Sequence, residues 1–222
     1  MFQKIPNYIK YIFTNIFFLF VFVALFRGIF YLFFTQLENI STLEIQKAIL
    51  LGIRFDLKLA IITFFPLAIL VLITNYRFLK SEIYKKIATI YLVLAYFILT
   101  LFHLFDFGYY EYLAIRLDAS SLRFLGDLKI STQVLIESYP IYKGILGLLI
   151  LSFIIYKYAT FIYNLFSKTH QEITKKLKAI YFILTILLLS FGIYNSVTHY
   201  PLRWSEAFFS KNNAINQFTV NP

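Results

Sequence analysis

Cysteine is absent from the 222 residues, so the fold must hold without disulfides, a fact that by itself fixes no compartment. Histidine is almost absent too. His103, His170 and His199 fall on different segments, and no two of them have the close spacing of a zinc motif. His103 and Asp106 are three apart and share a helical face, where packing or hydrogen bonding accounts for them better than a metal does. There is no phosphate-binding loop, dinucleotide fingerprint or serine-nucleophile elbow, so this chain alone does not read as a complete enzyme. Charge is scarce, with 14% Asp, Glu, Lys and Arg and only 11 acidic residues. The alternating pattern of an outer-membrane barrel is missing as well, which leaves helices as the form in which apolar segments could satisfy their backbone.

What is present is hydrocarbon. Hydrophobic residues make up 60% of the chain and aromatics 21%. That is more than a water-soluble domain of this size carries on its surface. A helix needs about 20 mainly apolar residues to cross a bilayer. Five stretches meet that need, at about 11–34, 57–74, 87–105, 144–163 and 179–197. The expected fold is therefore all-α, an integral membrane bundle of five transmembrane helices with short amphipathic helices in the outer loops. The first apolar run exceeds the roughly 7–15 residues of a signal-peptide core and lacks a small-residue cleavage motif, so it reads as a retained signal anchor.

The basic residues give an orientation. Lys4, Lys10, Arg77, Lys80, Lys85, Lys86, Lys157, Lys168, Lys175, Lys176 and Lys178 fall on the side of the N-terminus, opposed only by Glu82 and Glu172. Lys47, Arg54, Arg116, Arg123, Lys129, Lys143, Arg203 and Lys211 lie in the longer loops of the other side, among the remaining acidic residues. The positive-inside rule then puts the N-terminus in the cytoplasm and the C-terminus outside. The net charge of +10 is explained as a topological signal, and no nucleic-acid partner is expected.

The outer segments carry the features of interest. Ser41-Thr42-Leu43-Glu44 has the form of an N-capping box. The helix it opens either lies in the interface or extends the second span. From Ser120 to Glu137 the apolar spacing suggests one or two amphipathic helices. Arg27 lies within the first span, where an unpaired cation costs several kcal/mol, so it needs a partner. Asp56 and Asp106 reach similar depth. Arg27, Arg54, Asp56, Lys58, His103 and Asp106 are expected to gather near the outer leaflet, where they either lock the helices or receive an anionic lipid headgroup. After the last span, Pro201 discourages further helix, Trp204, Phe208 and Phe209 suit the interface, and Arg203 can meet a phosphate or a carboxylate.

Three outer passages, GIRFDLKLA (52–60), YYEYLAIRLDASSLRFLGD (109–127) and YPLRWSEAFFSKNNAINQFTVNP (200–222), together with five spans, resemble the N-terminal membrane region of the lipoteichoic acid synthase-like family. That family includes phosphoglycerol transferases and sulfatase-like proteins. The resemblance covers essentially the whole chain, and the Pro-Leu-Arg-Trp-Ser-Glu run is its most specific part. It implies a five-helix domain over 1–198 and a juxtamembrane linker over 199–222, leading to an extracytoplasmic domain of the alkaline phosphatase superfamily. The nucleophile and a divalent metal would belong to that domain. No catalytic residue can be carried over to this chain, and no cofactor is expected in it. The implied role is an anchor and lipid-facing platform for a phospho-group transferase in a bacterial cytoplasmic membrane, with membrane lipids and the phosphatase-like domain as partners. Arg54, Arg116, Arg123 and Arg203 are the candidate phosphate contacts, with Lys58 and Trp204 beside them. Asp56, Asp118 and Asp127 would orient them, and Glu206 is a further candidate for a headgroup or interdomain contact. Two other classes remain open. One is a small transporter or channel subunit that uses Arg27, His103 and Asp106 as a polar pathway. The other is a stand-alone membrane protein that recruits a partner.

Overall fold

The structure, a computed structural model, describes residues 5–34, 40–118, 121, 141–168, 174–196 and 199–221. The described residues are helical with no strand, and five of the helices are long and apolar enough to cross a membrane. The chain is a multi-pass membrane protein. These helices are α1 (Asn7–Phe34), α2 (Thr42–Thr74), α3 (Glu82–Leu113), α4 (Ile141–Ser167) and α5 (Lys175–Tyr194). A short helix, α6 (Asn213–Thr219), follows near the C-terminus. The amphipathic helices expected over 120–137 lie outside the described residues, as do Arg123 and Asp127.

Most helices are longer than the apolar runs that announce them, because hydropathy stops at the first charge and backbone hydrogen bonding does not. α2 shows this best. Its 33 residues correspond to about 50 Å of helix. The hydrocarbon core is only about 30 Å thick, so part of α2 stands beyond it. Of the two readings of the segment after Ser41, the structure has the extension of the second span. Ser41 Oγ accepts from Glu44 N (3.3 Å), and Glu44 Oε2 accepts from Ser41 N (3.4 Å), closing the capping box. α5 stops earlier than expected. Asn195, at φ 47°, takes the left-handed conformation and donates its N–H to Phe191 O (2.7 Å). The helix therefore ends well before Pro201, with Asn195 as the terminating residue.

α1 packs along α2, α3 along α4, and α5 against α2. The main core between them is built from Tyr11, Ile12, Leu19, Val23, Phe64, Val71 and Leu92, all fully buried. α2 and α5 meet closely at Gly192, where a Cβ would come within 2.3 Å of Ile61 Cδ1. Helix contact in an apolar medium depends on such small residues, because burial from lipid supplies little drive.

At one end the 3-10 turn Asn75–Lys80 plugs the bundle. Phe78 is buried against Tyr11 (centroids 5.4 Å), Tyr84 (5.7 Å) and Tyr163 (5.6 Å). The Tyr163 hydroxyl is shared between the carbonyls of Phe78 and Ser81, which pins the turn to α4. Replacing Tyr163 by phenylalanine keeps the ring and strands those carbonyls. We expect a loss of about 1 kcal/mol, seen as a lower melting temperature in detergent. The opposite end, where α1 and α3 finish and α2 begins, holds the buried charges.

Candidate functional site

Arg27 enters this end from α1 and Asp56 from α2. The guanidinium binds the carboxylate through two parallel bonds, Nε to Oδ2 and Nη2 to Oδ1, each 2.8 Å. Its other N–H groups reach the C-terminal segment. Nη1 donates to the carbonyls of Phe218 (2.5 Å) and Thr219 (2.8 Å), and Nη2 donates to Asn221 Oδ1 (2.5 Å). A guanidinium has five N–H donors, and here each has an acceptor. Asn221 closes the ring by donating Nδ2 to Asp56 Oδ1 (2.9 Å). The carbonyls that Arg27 takes are the last two of α6, which no helical N–H would satisfy. A cation is favoured at that negative helix end.

The approach depends on Gly52. It lies one turn before Asp56 on the same face of α2, and a Cβ there would stand 2.9 Å from three atoms of the Arg27 guanidinium. A flexible side chain could normally swing aside, but this one is held by its hydrogen bonds. The Gly52→Ala protein should therefore lose stability despite the better helix propensity of alanine. We expect a cost of about 1–3 kcal/mol, as for other overpacked sites, measured by thermal denaturation in detergent. A melting temperature equal to or above that of the parent would contradict the locked geometry.

Half a turn away, the opposite face of α2 grips the end of α5. Arg54 Nη2 donates to the carbonyl of Asn195, and Asn195 Nδ2 donates back to Arg54 O (2.5 Å). One turn further along, Lys58 Nζ donates to Leu202 O (2.7 Å). Residues 199–221 then run back along α2. Ser210 Oγ donates to Glu44 Oε1 (2.8 Å), and Lys47 Nζ lies 4.4 Å from the Phe209 ring centroid. Ile215 and Phe218 pack with Phe30 and Ala48 into a second, smaller core.

Asp106 on α3 forms a second ion pair, with Arg116 rather than Arg27. α3 ends at Ala114 in the left-handed region (φ 53°), and the turn that follows brings Arg116 back over Asp106. Asp106 Oδ1 accepts from Leu117 N (2.7 Å), and Oδ2 stands 3.0 Å from Arg116 Nε. The second contact is close but misaligned, since neither atom makes a well-directed hydrogen bond. The Arg116 guanidinium carbon lies 4.0 Å from the centroid of Phe30, and Arg116 N donates to Gln217 Oε1 (3.2 Å). Burial lowers the Arg116 pKa to about 10, with Asp106 opposing that shift, so it remains a cation at neutral pH.

His103, one turn before Asp106, is buried with Nδ1 donating to Leu99 O (2.7 Å) and its ring 4.5 Å from that of Phe26. Asp118, Arg203 and Trp204 are exposed, and Glu206 is half-buried with Oε1 accepting from Arg203 N (3.1 Å). Among the described residues no group of three or more His, Asp or Glu converges as metal ligands, and the two buried carboxylates are each committed to an arginine. Gly52, Phe30, Asn195, Gln217 and Asn221 were not singled out in the sequence. Two signals could have found some of them: a glycine one turn before an intramembrane acid, and an asparagine near the end of the fifth apolar run.

The arrangement binds four separate parts of the chain into one charged end: α1, the start of α2, the turn after α3 and the C-terminal segment. Comparison of the chain with protein-family models, curated proteins and solved structures finds no match.

Proposed function

We propose that this chain is the membrane domain of a lipoteichoic acid synthase-like transferase, in which it anchors the enzyme and positions its extramembrane part against the lipid surface. The observation that carries this reading is the Arg27–Asp56 clasp on Phe218, Thr219 and Asn221. A segment that only tethered two domains would gain nothing from such a clasp. Here the backbone after the last span is fixed against two membrane helices, as orienting a following domain requires.

The three passages that carry the family resemblance also meet at this end. Asp56 comes from the first, Arg116 from the second and Phe218–Asn221 from the third. In this reading Arg27, Asp56, Arg54, Lys58, Asp106 and Arg116 are positioning residues, and the phospho-group chemistry belongs to a domain outside these residues. The N-terminus faces the cytoplasm of a bacterial cell, because the end opposite the clasp carries Lys10, Arg77, Lys80, Lys85, Lys86, Lys168, Lys175 and Lys176.

The test is the source gene beyond the codon for Pro222. An open frame encoding a metal-dependent phosphatase-like domain is expected. A stop codon there, with no such domain encoded beside it, would overturn the reading in favour of a stand-alone membrane protein.

A further inference from the structure

The C-terminal segment also carries exposed aromatic residues, ahead of the part held in the clasp. Tyr200, Trp204 and Phe208 are 62%, 54% and 41% exposed, whereas Phe209 beside them turns inward under Lys47. Trp204 and Phe208 pack edge to face at 4.5 Å, and the Arg203 guanidinium lies over the Tyr200 ring at the same distance. Three aromatics and one arginine thus form an exposed ridge. Among the described residues no carboxylate forms an ion pair with Arg203.

The level of this ridge is fixed. Leu202 N donates to Tyr194 O (2.9 Å), the last residue of α5, and Leu202 O accepts from Lys58 on α2. The ridge therefore starts where a membrane-crossing helix stops. Phe191, Leu188 and Leu187, in the last two turns of α5 before that stop, are exposed and apolar as well. Side chains with an apolar body and a polar tip at that depth match the layer between hydrocarbon and water.

We propose that Tyr200, Arg203, Trp204 and Phe208 seat in the headgroup layer of the membrane, with Arg203 meeting the phosphate of an anionic lipid. The ridge gives the C-terminal segment a second support. The clasp holds it to the bundle, and the ridge holds it to the bilayer. The inference does not depend on the transferase reading, and either can fail without the other.

Trp204 is the only tryptophan in the chain, so the unmodified protein carries its own probe. The full chain would be placed in phosphatidylcholine vesicles containing phosphatidylglycerol, with acyl chains brominated near the headgroup or near the terminal methyl. We expect the largest loss of Trp204 emission with bromine near the headgroup, a smaller loss with bromine near the methyl end, and little loss with aqueous iodide. Quenching by iodide without response to bromine would overturn the proposal by placing the ridge in water. Insensitivity to both would overturn it by placing the ridge under protein. Arg203→Gln changes an exposed side chain and should reduce the quenching by brominated phosphatidylglycerol but not by brominated phosphatidylcholine. Equal quenching of both proteins by the anionic lipid would remove the phosphate contact from the proposal.

Discussion

Replacing Asp56 by leucine is expected to cost about 3–5 kcal/mol, the range for a buried ion pair that loses one partner. The same change at Arg27 is expected to cost less. A stranded carboxyl group can take up a proton, whereas a stranded guanidinium cannot give one up. Leucine at position 27 also suits an apolar helix better than arginine does. The loss that remains in Arg27→Leu comes from the carbonyls of Phe218 and Thr219, which no longer have a donor. Both variants should open residues 213–221 to protease, because the clasp is a principal polar tie of α6 to the bundle.

The double leucine variant should cost less than the sum of the two, and the difference measures the coupling. Exchange of the charges, Arg27→Asp with Asp56→Arg, should restore little, since an aspartate at 27 cannot donate to the α6 carbonyls. Denaturation in detergent and limited proteolysis would read all four proteins. Unchanged stability and protease resistance in Asp56→Leu would refute the clasp.

The five spans were legible because lipid imposes a length and a composition that few other environments impose. Their ends were less so: hydropathy placed the second span from about 57, while the helix starts at Thr42 where Ser41 and Glu44 cap it. An arginine inside an apolar run signals a need for acceptors, but the run cannot choose between Asp56 and Asp106 at equal depth. The choice rests on Gly52, which opens the face of α2 next to Asp56, and on the turn after Leu113, which supplies Asp106 with its own arginine. The remaining acceptors of Arg27 include backbone carbonyls 191 and 192 residues away, and no side-chain pattern encodes a carbonyl. Arg54 and Lys58 read either as helix locks or as contacts for an anionic headgroup, and both end on carbonyls after α5. Their spacing of four fits one helical face equally well for either use.

Asp106→Ala should be the other severe substitution, again at about 3–5 kcal/mol, because it leaves the buried Arg116 without its anion and Leu117 N without an acceptor. Asn at this position keeps an oxygen for Leu117 N and should recover part of the loss. The two ion pairs are nonetheless expected to differ in coupling. Arg27 and Asp56 meet through two aligned bonds, whereas Arg116 and Asp106 meet through one close but poorly directed contact, and alignment gives a charge-assisted bond much of its strength. Arg116 also leans on the face of Phe30, a contact worth about 0.5–2 kcal/mol that survives the loss of Asp106. A double-mutant cycle on Asp106 and Arg116 should therefore give a smaller coupling energy than the cycle on Arg27 and Asp56. Hydrogen exchange at Leu117 N supplies the local readout: it should quicken in Asp106→Ala and remain near the parent rate in Asp106→Asn. Equal exchange in the two variants would show that the turn after α3 is held by other contacts, and that Asp106 serves Arg116 alone.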